Sequence, residues 1–140
     1  MYKRILVAIE NSDADRTILT HIRPLARLTG AELLLVHVAD GWAARHFDEL
    51  KLRESEEMRA DREYLAGLQA TLQGEGFTVR TQLAKGDPAT ELIRVSQTEQ
   101  SDLIAMSTHG HRFLADVVKG TTVDRVRHLV KIPVLLLRAQ

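Results

Sequence analysis

Between Asp102 and Thr122 the chain reads DLIAM and then STHGHRFLADVVKGTT. A short apolar run ends at Met106 and gives way at once to Ser107, His109, Gly110, His111 and Arg112. Gly120 follows, with Thr121 and Thr122 beside it at the expected start of a helix. A helix N-terminus leaves backbone donors unpaired and carries the positive end of its dipole, so hydroxyls and glycines gathered there suit phosphate. The chemistry these residues point to is nucleotide binding.

Other chemistries are poorly supplied. GxxxxGK[ST] is absent, and Lys119–Gly120–Thr121 has the wrong order for a P-loop. No GxGxxG follows the first apolar run, and GxSxG is missing. His109 and His111 form an HxH pair, but nothing nearby has the spacing of further metal ligands. With no cysteine, disulfides, thiolate catalysis and cysteine-based zinc sites are excluded. Phosphoryl transfer needs a placed metal, a water-positioning group and charge stabilisers, and no such set is identifiable. His37 follows four apolar residues and reads as a hydrogen-bonded residue near a strand end.

The elements that must position these groups are legible from periodicity. Ile5–Ile9, Glu32–Val38, Leu103–Met106 and Pro133–Leu137 are near-continuous apolar runs, the pattern of strands covered on both faces. Phe77–Leu83 alternates, as an edge strand with one wet face does. Helical stripes fill the gaps. Ile18, Ile22, Leu25 and Ala26 end at Gly30; Met58, Leu65, Leu68 and Leu72 end near Gly74–Gly76. Ala89, Leu92, Ile93 and Ser96 are entered through Asp87–Pro88, and Val118, Thr122, Val126 and Leu129 close near Ile132–Pro133. The charged run KLRESEEMRADRE reads as the solvated face of the second helix. Gly41–Leu52 is the least regular connection and a candidate flap.

The order βαβαβαβαβ predicts an α/β fold: a five-stranded, doubly wound parallel sheet with four helices. Ligands in such sheets sit beyond the strand C-termini where the winding reverses, which selects the tips near Glu10 and Met106. The 140 residues fit a single domain spanning 1–140. Lys+Arg and Asp+Glu balance at 19 each, which argues against nucleic acid or a membrane surface as partner. The opening MYKRILVAIE has too short an apolar run for a signal peptide or a span, so no membrane insertion and a cytoplasmic location are expected.

The chain resembles the universal stress proteins of the UspA type along nearly its whole length. ILVAIENSD resembles their opening strand and acidic turn, LLLVHV their second strand, and AKGDPATELI the entry to their third helix. SDLIAMSTHG resembles their fourth strand and ligand loop, and KGTTVDRVRHLVKIPVLLLR their last helix and strand. The nucleotide-binding branch carries Gly, two residues, Gly, nine residues, then Gly with Ser or Thr. Here Gly110 and Gly120–Thr121 match the second and third positions, and Ser107 stands at the first.

The resemblance implies an adenine nucleotide alpha hydrolase-like, Rossmann-like fold and ATP as ligand, with or without Mg or Mn, ADP or AMP being alternatives. It implies a site built from Ala8, Ile9, Glu10, Ser12, Val38, Met106, Ser107, His109, Gly110, His111, Arg112, Gly120, Thr121 and Thr122. In that site the amides near Gly110 and at Gly120–Thr122 cradle phosphates, and His111 and Arg112 add charge. Glu10 bonds the ribose or base where relatives more often have Asp, with Asn11 where Gly is frequent. Val38 and Met106 give the base apolar contact.

The preferred reading is an ATP-binding regulatory protein read by a protein partner, rather than an enzyme. It is expected to be a homodimer through Pro133–Leu137. An interaction module without nucleotide is the alternative that Ser107 and Glu10 suggest. A slow ATP hydrolase or phosphotransferase using Thr121, Thr122 or His109 is the further one.

Overall fold

A computed structural model describes residues 1–40, 51–108 and 116–139. Strands β1 (Arg4–Ala8), β2 (Glu32–Asp40), β3 (Val79–Gly86), β4 (Leu103–Thr108) and β5 (Val134–Arg138) alternate with four helices. These are α1 (Ala14–Thr29), α2 (Lys51–Gly74), α3 (Pro88–Thr98) and α4 (Asp116–Leu129). Of the expected flap, Gly41–Leu50 lies outside the described residues, and Lys51 and Leu52 open α2.

All strand pairs are parallel, in the order β3-β2-β1-β4-β5. From β1 the chain winds outward through β2 to β3, then crosses back through α3 to β4 on the other side of β1. The winding therefore reverses between β1 and β4, the place where open α/β sheets form their ligand crevice.

Side chains alternate across the sheet and fill two cores. Ile5, Val7, Leu33, Leu35, Leu103 and Ala105 pack against Ile18, Ile22 and Ala26 of α1 and Leu65 and Leu72 of α2. Leu6, Leu34, Val36, Ile104 and Met106 face Leu92 and Val95 of α3 and Val123 and Val126 of α4. Strands buried on both faces need apolar residues at odd and even positions alike, hence the continuous runs.

Local chemistry sets the helix boundaries. Gly30 takes φ 70°, a left-handed conformation that favours glycine, and its N–H closes on the Ala26 carbonyl at 2.8 Å. Asp87 caps α3, its Oδ2 accepting from the Thr90 N–H at 2.9 Å and the Thr90 hydroxyl at 2.6 Å, with Pro88 behind it in the first turn.

Strand ends shift by one to three residues from the sequence reading, and three differences bear on the site. β4 continues through Ser107 and Thr108, paired with Leu137 and Arg138, because hydroxyl side chains are compatible with a ladder that only the backbone makes. β5 is an edge strand like β3, so Val134–Leu137 are half-buried rather than covered on both faces. α4 begins at Asp116, which puts Gly120, Thr121 and Thr122 in its second turn.

Candidate functional site

The crevice is built from three adjacent strand ends. Ile9 extends β1 by one more bond, its N–H reaching the Val36 carbonyl at 2.8 Å, and Glu10 to Ser12 then turn into α1. Ala8, Val38 and Met106 lie on one face of the sheet, against the α3/α4 core; Ala8 and Val38 are half-buried and Met106 is buried. Val123, next to Thr122, belongs to the same packed cluster. Ala8, Ile9, Glu10, Ser12, Val38, Met106 and Ser107 are thus brought to one edge of the sheet, and α4 carries Gly120, Thr121 and Thr122 over one face of it.

His109, Gly110, His111 and Arg112 lie outside the described residues. In an α-helix the N–H at Gly120 points back toward the Asp116 carbonyl, and those of Thr121 and Thr122 follow suit. Unpaired amides belong to the first turn, so the second turn brings its hydroxyls and its side-chain-free glycine.

Ser107 is 7 % exposed, and its Oγ has no hydrogen-bond partner among the described residues. Alternation along β4 puts it on the α1/α2 face with Leu103 and Ala105. An unpaired hydroxyl so placed costs about 1–3 kcal/mol unless something bonds it.

The turn after β1 is held by a group absent from the expected site. Asp15 is 2 % exposed and lies in the first turn of α1. Its Oδ1 accepts from the Glu10 N–H at 2.8 Å; its Oδ2 accepts from Asn11 N–H at 2.9 Å and Ser12 N–H at 3.3 Å. The Tyr64 hydroxyl of α2 donates to the same Oδ2 at 2.7 Å. Burial pushes the Tyr64 hydroxyl far up from the ordinary tyrosine pKa, and its bond to Asp15 adds to that.

A second set runs alongside. His37 Nδ1 lies 2.7 Å from the Ile9 carbonyl, which can only accept, so that nitrogen carries a proton. Its Nε2 lies 3.3 Å from Asp61 Oδ2, and Asp61 Oδ1 accepts from Asn11 Nδ2 at 3.0 Å. His37 is therefore the hydrogen-bonded strand-end residue the sequence suggested. Asp61 corrects the reading of its charged run. Glu56, Glu57, Arg59, Arg62 and Glu63 are exposed, but the helix turns Asp61 inward to 15 % side-chain exposure.

Across the sheet, Arg125 of α4 donates to Asp87 Oδ2 at 2.7 Å and so ties α4 to the cap of α3. The Thr90 hydroxyl, then the Thr90 N–H and Arg125, hold the Asp87 carboxyl below its usual range. A cavity of about 440 Å³ opens between α1 and α2 beside the same turn, lined by Asn11, Ser12, Asp15, Arg16, Tyr64 and Leu68 among others. Among the described residues no three His, Asp or Glu side chains gather in a way that could hold a metal ion.

Residues 1–138 match the Universal stress protein family. The chain belongs to the universal stress protein family. The universal stress protein MJ0577 of Methanocaldococcus jannaschii is 25 % identical over 158 residues, covering 99 % of this chain and 96 % of that one. The solved MJ0577 structure superposes with a TM-score of 0.84 at 23 % identity, covering 100 % and 98 % of the two chains. A universal stress protein of Archaeoglobus fulgidus in complex with dAMP gives a TM-score of 0.66 at 19 % identity over 96 % of this chain and 97 % of that one. One in complex with cAMP gives 0.65 at 16 % identity over 99 % and 98 %. The fold is the Rossmann-like, adenine nucleotide alpha hydrolase-like fold of these universal stress proteins.

Within this universal stress protein, Asp15, Tyr64 and Asp61 are the site-shaping residues that sequence reasoning missed. Asp15 had a signal: Ser12-x-x-Asp15 before an apolar stripe is the pattern of a capping box. Asp15 reaches back to the Ser12 N–H as in such a box, whereas Ser12 Oγ accepts from the Ala14 N–H at 3.2 Å and the Asp15 N–H goes to the Ser12 carbonyl. Tyr64 and Asp61 had none, since their partners are about 50 residues away along the chain.

Proposed function

We propose that this chain is an ATP-binding regulatory protein, its nucleotide held in the crevice between β1 and β4. The observation that carries the reading is that Ala8, Val38 and Met106 share one face at the sheet edge where the winding reverses, with Glu10 following β1 and Ser107 in the last residues of β4. An apolar patch there suits a base, and an acidic tip suits ribose hydroxyls, which donate to carboxylates. Two solved relatives of the same fold are complexes with dAMP and cAMP, which supports an adenine nucleotide as the class of ligand.

In this reading Ala8, Ile9, Glu10 and Ser12 border the ribose and base, and Val38 and Met106 contact the base. Ser107 Oγ gains its missing partner from the ligand. His109, Gly110, His111 and Arg112 surround the phosphates, with Mg²⁺ or Mn²⁺ beside them. Gly120 lets the phosphates approach α4 closely, and Thr121 and Thr122 contribute hydroxyls. The nucleotide stabilises one conformation or assembly, by no more than the difference of its affinity for the two states. The assembly is a homodimer through β5, whose apolar edge strand invites pairing with a second copy.

Titration with a fluorescent ATP analogue, with and without Mg²⁺ or Mn²⁺, tests the reading. Saturable binding below millimolar nucleotide is expected, weakened at least about tenfold (about 1.4 kcal/mol) in Gly120→Asp, which sets a carboxylate against the phosphates. No binding by the parent at millimolar nucleotide overturns the reading, and equal binding by the variant overturns the α4 side of the site.

Ser107 also favours a second reading, an interaction module without nucleotide, because a buried Cβ and hydroxyl occupy the place where the binding branch has glycine. Nucleotide binding that is absent in the parent and present in Ser107→Gly selects this reading.

A further inference from the structure

Within the turn that carries Glu10 the side-chain bonds are long, Ser12 Oγ to Glu10 Oε2 at 3.4 Å and the Ala14 N–H to Ser12 Oγ at 3.2 Å. Asn11 takes φ 60°, a left-handed conformation that most side chains avoid. Yet the Ile9 carbonyl and the N–H groups of Glu10, Asn11 and Ser12 are all engaged by side chains from other elements. Asp15 takes the three N–H groups from the α1 side, and His37 takes the carbonyl from β2.

Behind both stands α2. Tyr64 bonds Asp15, and Asp61, three residues earlier and so on the same helix face, bonds the Asn11 side chain and lies 3.3 Å from His37 Nε2. α2 packs on the core through Leu65, Leu68, Leu72 and the Tyr64 ring; the Tyr64 hydroxyl and Asp61 reach beyond them to the turn after β1.

We infer that Tyr64 and Asp61 are positioning residues for the nucleotide site, holding through Asp15, His37 and Asn11 the turn that carries Glu10. The inference rests on the nucleotide reading above and extends it to an element that supplies no residue of the expected site. A hydroxyl that bridges to a carboxylate already shared by three amides orients that carboxylate. Without it, Asp15 rotates toward its backbone donors and the turn relaxes. Asp61 fixes the other half, since the same carboxylate holds the side chain of the left-handed residue and lies against the strand-end histidine. Movement of α2 therefore reaches Glu10 through two independent contacts.

Two variants test this, Tyr64→Phe and Asp61→Asn, compared with the parent at a temperature where far-UV circular dichroism shows all to be folded. If one fails to fold, the other carries the test. In the nucleotide-free protein, the amide proton resonances of Glu10 and Asn11 should move in each variant. Affinity for ATP and for AMP should fall by the same factor, about tenfold, because Glu10 faces the part the two ligands share. A loss confined to ATP overturns the inference by placing the effect at the phosphates. Unmoved amides, or unchanged affinity in variants of a parent that binds ATP, overturn the inference and leave the nucleotide reading standing. A parent that binds neither nucleotide at millimolar concentration overturns that reading and this inference with it.

Discussion

Replacing Asp15 by asparagine should destabilise the protein almost as badly as replacing it by alanine. The reason is the sign of the groups around it: three N–H groups and one O–H converge on the two carboxylate oxygens. Asparagine fills the same space but turns one oxygen into an NH₂, so one side of it must face a donor. The least harmful orientation sets the NH₂ against the Glu10 N–H, losing the 2.8 Å bond and weakening the others by removing the charge.

A hydrogen bond to a charged group contributes about 1.5–3 kcal/mol when measured singly, and bonds sharing one carboxylate are not additive. From the three short contacts we expect a loss of about 3 kcal/mol for Asp15→Ala and about 2 kcal/mol for Asp15→Asn. Unfolding entropy for a chain of 140 residues is about 0.3 kcal/mol/K, so the alanine variant should melt about 10 °C lower. Urea unfolding followed by circular dichroism at 222 nm measures both. An asparagine variant within about 0.5 kcal/mol of the parent would refute the reasoning, because shape and not acceptor count would then account for Asp15.

Three further outcomes follow from the same structure. Tyr64 has its pKa raised by burial and by Asp15, so its neutral form is the one the fold favours; the stability it adds is complete below the ordinary tyrosine pKa and lost as pH rises through the raised value. Alkaline titration at 295 nm should show a component ionising late, and Tyr64→Phe should abolish it. Asp87 has its pKa lowered by Thr90 and Arg125, so its contribution is present above the ordinary aspartate pKa and lost as pH falls through the lowered value. Asp87→Ala should cost about 1 kcal/mol at neutral pH and flatten the acid limb of the stability curve, as urea midpoints between pH 7 and pH 2 would reveal. Leu137→Lys, on the half-buried edge strand β5, should convert dimer to monomer in sedimentation equilibrium at micromolar protein; a parent already monomeric there would remove the proposed interface.

The strands and helices were legible because the forces that define them are local or periodic. A strand buried on two faces must be apolar at every position, as in Leu33–Val36, and α3 announces itself by Asp87–Pro88. The alternation of β and α elements then restricts the topology, since parallel crossovers have one hand. That was enough to bring Glu10 and Met106 to one edge before any coordinates.

Boundaries were less legible where the pattern was ambiguous. Ser107 and Thr108 read as the start of a loop because they are polar, yet the ladder they join is made by backbone alone. Pro133–Leu137 reads as doubly covered because its residues are apolar, but nothing in a sequence says whether another strand lies beyond the last one.

What only the tertiary structure decided is the support of the turn after β1. Asp15 could be foreseen as a cap from Ser12-x-x-Asp15, but its fourth donor could not. Asp61 and Tyr64 sit in a charged helical segment whose composition is that of a wet surface, and the choice of which turn faces inward depends on how α2 lies against β2 and β3. Contacts spanning about 50 residues leave no periodicity to read, because the chain between them sets their meeting only after the sheet has formed.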